Sequence, residues 1–170
     1  MPPEALPSRF AVAGESPGFL LWRISNAWQQ RQRAALQPLG LTHVQFVLLA
    51  SLVWLTQHGD TVTQVDLAAQ AQTDPMMTSQ VVRALEARGL LARTTSAQDR
   101  RARVLAPTAA GTALAAAAIT IVEAVDAECF AGKDAAWLQE VAQRMGLPGV
   151  ADGPLQSQAD AAAPPQAWPT

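Results

Sequence analysis

The sequence predicts a mainly α-helical fold that carries one short, arginine-rich β-hairpin, and three observations predict it. The first is composition: alanine and leucine dominate while aromatic residues make up only 5%, a balance that favours helices over sheets. The second is a series of Thr and Asp residues standing just ahead of apolar-periodic stretches, where helix N-caps belong. The third is the stretch from Thr63 to Leu105, TQVDLAAQAQTDPMMTSQVVRALEARGLLARTTSAQDRRARVL. It reads as a short helix, a turn, a helix opening on Asp-Pro and a basic hairpin, the order of a winged helix-turn-helix.

Residues 1–17 contain four prolines and no clear period, so a loose, flexible N-terminal arm is expected. From Phe19 to about Gln37, Leu21, Ile24, Trp28 and Ala35 share one helical stripe, which Pro38 and Gly40 end. Thr42 and Gln45 then form a capping box, with Leu41 and Phe46 at the two staple positions around it. The helix they start runs through FVLLASLVWL to about His58 and is apolar on most sides, as a central core helix should be. Gly59-Asp60 breaks the chain, and Thr61-Val62 can form a short strand. Thr63 caps the third helix, with Asp66 near its start and Val62 and Leu67 as a second staple. Gln72-Thr73 makes the turn. Asp74 caps the fourth helix, Pro75 takes its first position and Gly89 stops it. Leu91–Thr95 and Arg103–Pro107 read as strands joined by a polar loop over 96–102. Thr108 caps a long alanine-rich helix reaching about Phe130, roughly 30 Å at 1.5 Å per residue. Gly132 breaks it, and Asp134 caps a last short helix ending near Met145. The proline- and alanine-rich segment 147–170 is expected to be disordered.

At 170 residues the chain is about one domain long. Its single cysteine, Cys129, excludes an internal disulfide framework and reads as a small buried hydrophobe. The opening MPPEALPSRF lacks a basic region followed by an apolar run, so no signal peptide is expected. The apolar run Phe46 to Leu55, with one serine inside it, is too short to span a bilayer. A cytoplasmic protein with no membrane partner is the simplest expectation. The net charge of −2 hides a segregation. Residues 80–104 hold six arginines against Glu86 and Asp99, a local +4, while residues 1–79 carry −1 and those from Leu105 onward −5. Segregation of this kind suits a polyanion-binding face, although a solvated arginine-rich surface has the same composition.

On the fourth helix, at 100° per residue, Met77, Val81, Val82 and Leu85 fall on one side and Met76, Ser79, Gln80 and Arg83 on the other. The second face suits a recognition helix. Gln80 can pair bidentately with adenine, Arg83 with guanine or a phosphate, and Ser79 can donate to phosphate. The helix N-terminus adds free N–H groups and the positive end of its dipole. An ordinary amphipathic helix facing water has the same pattern. The hairpin loop is the second clue. Arg100 and Arg101 stand at its tip, and the Asp99 carboxylate can hold the Arg101 guanidinium in one orientation, aimed at a narrow A·T-rich minor groove. Taken alone, that pair reads equally as a surface ion pair worth less than about 1 kcal/mol.

Together these residues resemble MarR-type winged-helix transcriptional regulators. The likeness is carried by DPMMTSQVVRALEARGLLAR and the following wing QDRRARVLAPTAAG, in which Asp99 and Arg101 match the family's Asp-x-Arg wing signature. It covers about residues 18–146, and departs where Ala109-Ala110 replaces a polar, lysine-containing turn before Gly111. The resemblance implies a DNA-binding lobe over 59–107 and dimerisation helices over 18–40 and 108–146. It implies a homodimer that sets two recognition helices about 34 Å apart on a pseudo-palindromic operator of double-stranded DNA. Such proteins usually repress promoters, and many are released by small aromatic acids or other amphipathic compounds bound between the dimer helices and the winged lobe. Trp22, Trp28, His43, Phe46 and Trp54 are the candidate walls of such a pocket, with core or dimer packing as their alternative role.

No phosphate loop, nucleophile elbow or metal motif is present, so neither an enzyme nor a resident cofactor is expected. His43, His58 and Cys129 make no convincing metal cluster. A winged helix used only for protein contact would have an uncharged wing tip, unlike Arg100-Arg101.

Overall fold

The computed structural model describes residues 7–59, 61–95, 103–131 and 135–147. Its elements follow the expected order: α1 (Pro17–Leu36), α2 (His43–Gln57), β1 (Val62–Thr63), α3 (Gln64–Gln70), α4 (Pro75–Ala87), β2 (Leu91–Thr95), β3 (Arg103–Pro107), α5 (Ala109–Cys129) and α6 (Ala136–Arg144). The three strands make one antiparallel sheet in the order β1-β3-β2, with Val62 opposite Leu105 and Thr95 opposite Arg103.

Local chemistry sets the boundaries. The Thr42 hydroxyl accepts from the Gln45 N–H while the Gln45 side chain accepts from the Thr42 N–H, closing the capping box of α2. Thr63 and Asp66 close a second box on α3. In both places the staple residues are buried, Leu41 with Phe46 and Val62 with Leu67. One boundary differs from expectation. α1 begins at Pro17 because the Ser16 hydroxyl accepts from the Phe19 N–H and Pro17 fills the first turn, so the helix reaches into the stretch expected to be a loose arm. Asp134, the expected cap of α6, lies outside the described residues, as do Gly132 and segment 148–170.

α2 is the central helix. Leu48, Leu49, Leu52 and Leu55 are fully buried and meet α5 through Ala115, Ala118 and Val122, and the winged lobe through Leu67, Val82, Leu85 and Leu105. Small residues on α5 let it cross α2 closely. At Gly111 α5 passes close to the chain between α4 and β2, where an added Cβ would lie 2.8 Å from the Leu90 carbonyl carbon and closer still to its oxygen. By length and apolarity α5 is sufficient to cross a membrane. The uninterrupted-run reading missed this because threonines and acids punctuate its alanines. Here its small-residue stripe packs on the core.

The ends of the fold are less covered. Leu20, Leu21 and Ile24 on α1 and Trp137, Leu138 and Val141 on α6 are exposed, and no α6 residue is buried. The residues of α1 that are buried are Gln32 and Leu36, rather than the expected stripe through Leu21 and Ile24.

Candidate nucleic-acid interface and effector groove

α4 is held at both ends. The Asp74 carboxylate accepts from the Met76 and Met77 N–H groups at 2.9 and 3.0 Å. At the other end Gly89 turns left-handed at φ 67°, and the Leu90 N–H returns to the Leu85 carbonyl at 3.0 Å. The helix axis is therefore fixed by the chain on either side of it. On its outer face Met76 is 74% exposed, Gln80 and Arg83 are exposed and Ser79 is half-buried. Arg83 lies back along its own helix, donating to the Ser79 hydroxyl at 3.0 Å and the Ser79 carbonyl at 3.3 Å.

The inner face differs from the sequence expectation at one position. Thr78 is fully buried while Met77 is 38% exposed. The Thr78 hydroxyl donates to the Asp74 carbonyl and bonds the Thr73 hydroxyl, each at 2.8 Å. With its hydroxyl satisfied by its own turn, Thr78 shares the buried face with Val82 and Leu85.

The wing residues Asp99, Arg100 and Arg101 lie outside the described residues. The strands that carry them are paired as far as Thr95 and Arg103, and Arg103 is exposed. Two of the six arginines in the basic stretch are engaged elsewhere. The Arg93 Nε stands 3.0 Å from the Glu86 carboxylate, though it is not aligned as a hydrogen bond, and so braces β2 against α4. Arg88 donates to the Gly40 carbonyl at 2.9 Å, tying the end of α4 to the turn between α1 and α2. The basic face is thus narrower than the composition implies.

A second site lies where α1, α2 and α5 meet. Trp28 stands edge-on to His43 with ring centroids 5.0 Å apart, and His43 stacks on Phe46 at 6.5 Å. The Trp28 indole N–H and the Gln32 amide both donate to one oxygen of Asp126, at 2.7 and 2.8 Å. Burial lowers the His43 pKa, Arg33 lowers it further, and Asp126 partly opposes both. Three of the five aromatic candidates, Trp28, His43 and Phe46, therefore come together. The other two stand apart from them: Trp22 is 64% exposed and stacks on Phe19, and Trp54 packs on His58 at the far end of α2.

Sequence reading missed Gln32 and Asp126. Helical spacing could have found both, since Gln32 lies between Trp28 and Leu36 on one stripe, and Asp126 continues the buried series Ala115, Ala118, Val122. From this junction a groove of about 1010 Å³ opens between α1, the end of α5 and α6, with Leu20, Ile24, Trp28, Asp126, Phe130 and Leu138 among its walls. Cys129, half-buried nearby, has the Arg31 guanidinium 3.7 Å from its sulfur.

Comparison with known proteins places these features in context. The family model described as MarR family matches residues 41–102. An HTH-type transcriptional regulator of Bacillus subtilis, YdcH, is 46% identical over 124 residues, covering 73% of this chain and 84% of its own. The structure of Rv2887 from Mycobacterium tuberculosis in complex with p-aminosalicylic acid is 33% identical with a TM-score of 0.55, covering 77% of this chain and 96% of that one. CouR from Rhodococcus jostii RHA1, bound to p-coumaroyl-CoA, superposes with a TM-score of 0.70 at 26% identity, covering 84% of this chain and 98% of CouR.

Proposed function

The chain belongs to the MarR family of transcriptional regulators, and on that premise we propose that it is a dimeric repressor whose two winged lobes grip a pseudo-palindromic operator and release it when a small amphipathic or aromatic molecule binds. Its family and relatives are regulators rather than enzymes. The observation that carries the reading is the exposure of Met76, Gln80 and Arg83 on one face of a helix fixed at both ends. Gln80 and Arg83 meet base edges in the major groove, Ser79 and the helix N-terminus meet phosphate, and Arg100 and Arg101, the latter oriented by Asp99, reach the minor groove.

Dimerisation through α1, α5 and α6 would cover the apolar side chains of α6, which are exposed among the described residues. Effector control is supported by the aromatic cluster at Trp28, His43 and Phe46 beside an apolar groove, and by the ligands held by CouR and Rv2887. A DNA regulator of this kind works in the cytoplasm.

A gel shift with the adjacent promoter, repeated across salt concentrations, tests the DNA reading. Log affinity should fall linearly with log salt, because phosphate contacts release counterions. Arg101→Ala should weaken binding by about 1–3 kcal/mol if the arginine makes a specific groove contact. Unchanged affinity in that variant removes the wing from the interface, and a flat salt response removes DNA as the partner.

A further inference from the structure

The groove has an inner and an outer part of different chemistry. The outer part is apolar, walled by Leu20, Leu21, Leu138 and Val141, and a second copy of the chain would cover it. At the inner end stand Trp28 and Asp126, and Asp126 is the one charged residue among the described walls.

The hydrogen-bond inventory at this end is lopsided. Two donors, the Trp28 indole N–H and the Gln32 amide, are spent on the same Asp126 oxygen, Oδ1. The second oxygen, Oδ2, takes no hydrogen bond from any described residue. Gln32 is fully buried, and its carbonyl oxygen has no hydrogen-bond partner among the described residues. Its amide cannot be turned to relieve this, because the oxygen would then face the carboxylate. Arg31 and Arg33, the nearest basic side chains on α1, are exposed and do not line the groove.

An anionic aromatic acid would meet a carboxylate here with no cationic side chain among the described walls to bind its own oxygens. Resting on effector control as proposed above, we propose that the inner end of the groove is a site for a small aromatic amine. Its ring lies among Ile24, Trp28 and Phe130 and its ammonium group donates to Asp126 Oδ2. A cation placed there pairs with the one charged residue among the described walls, so selectivity follows from charge.

The test uses the full chain and three probes of one shape and different charge: naphthylmethylamine, naphthylmethanol and naphthoate. Binding is measured at neutral pH by calorimetry and by tryptophan fluorescence. The amine should bind at least tenfold more tightly than the acid, with the alcohol between them. Asp126→Asn, which keeps an oxygen for Trp28 and Gln32, should bring the amine down to the level of the alcohol. Naphthoate binding as well as the amine, no binding of any probe up to millimolar concentration, or an Asp126→Asn variant that keeps the full preference would each overturn the proposal. Should that variant fail to fold, the ranking on the unaltered chain decides alone. Operator binding by the ligand-free protein is measured separately. Its failure would sink the repressor reading, whereas a reversed ranking with operator binding intact sinks only the amine site.

Discussion

Replacing Gly111 with alanine tests whether the winged lobe really rests on α5 as described. By propensity alone, Gly→Ala within a helix stabilises by up to about 1 kcal/mol. The structure reverses the sign. The new Cβ would lie 2.8 Å from the Leu90 carbonyl carbon and 3.3 Å from its Cα, closer still to its oxygen, where real Cβ atoms essentially never come within 3.0 Å. Leu90 cannot easily withdraw. Its N–H is bonded to the Leu85 carbonyl and its own carbonyl accepts from the Thr108 N–H at 3.1 Å, while the Thr108 hydroxyl bonds the Gly89 carbonyl at 2.7 Å. Overpacking against fixed backbone costs about 1–3 kcal/mol, and displacing the Leu90 carbonyl forfeits a hydrogen bond worth about 1 kcal/mol. Less the propensity gain, Gly111→Ala should destabilise by about 1–3 kcal/mol and lower Tm by about 3–10 °C. Gly18→Ala is the control, because nothing stands within 4 Å of its added Cβ, and its Tm should equal or slightly exceed that of the unaltered chain. Thermal and urea denaturation read both. A Gly111→Ala protein as stable as the parent would refute the close passage of α5 beneath Leu90, and with it the placement of β2.

Three further outcomes follow from the same geometry. Asp74→Ala should cost about 1 kcal/mol of stability through the lost N-cap, and should weaken operator binding beyond that by loosening the first turn of α4; circular dichroism melting and fluorescence anisotropy separate the two effects. Gln80→Ala should cost about 1–3 kcal/mol at one base pair of each half-site and relax selectivity there, whereas an equal loss on every sequence would make Gln80 a backbone contact. His43 sets a pH dependence of stability. Its folded pKa lies below the ordinary 6.5, chiefly through burial, so the unfolded chain binds more protons in the window between the two values. Stability is therefore complete above 6.5 and is lost as pH falls through the lowered folded value. His43→Gln should flatten that decline in denaturation curves taken from neutral to mildly acid pH, and an unchanged slope would place the titration elsewhere.

What could be read from the sequence and what could not divide by the range of the interaction. Caps, staples and stops are settled within a few residues, so Thr42 with Gln45, Thr63 with Asp66 and Asp74 with Pro75 announce three helices before any fold is known. The outer face of α4 is equally local, because one helical period places Met76, Gln80 and Arg83 together. Thr78 shows where hydropathy misleads: a polar side chain sinks when its own turn supplies its partners, while Met77 beside it stays partly exposed. Charge counting overstates the basic face for a related reason, since Arg88 and Arg93 are engaged by Gly40 and Glu86. The inner end of the groove stands furthest from what composition reveals. Gln32 and Asp126 meet across 94 positions of sequence, and of the three acids on the second half of α5 only Asp126 turns inward, leaving Glu123 and Glu128 exposed. An acid at that point of a buried stripe must be answered by donors from another helix, or expelled. The tryptophan and glutamine of α1 answer one of its oxygens, and the other, which takes no hydrogen bond from any described residue, is the atom on which the proposed amine site rests.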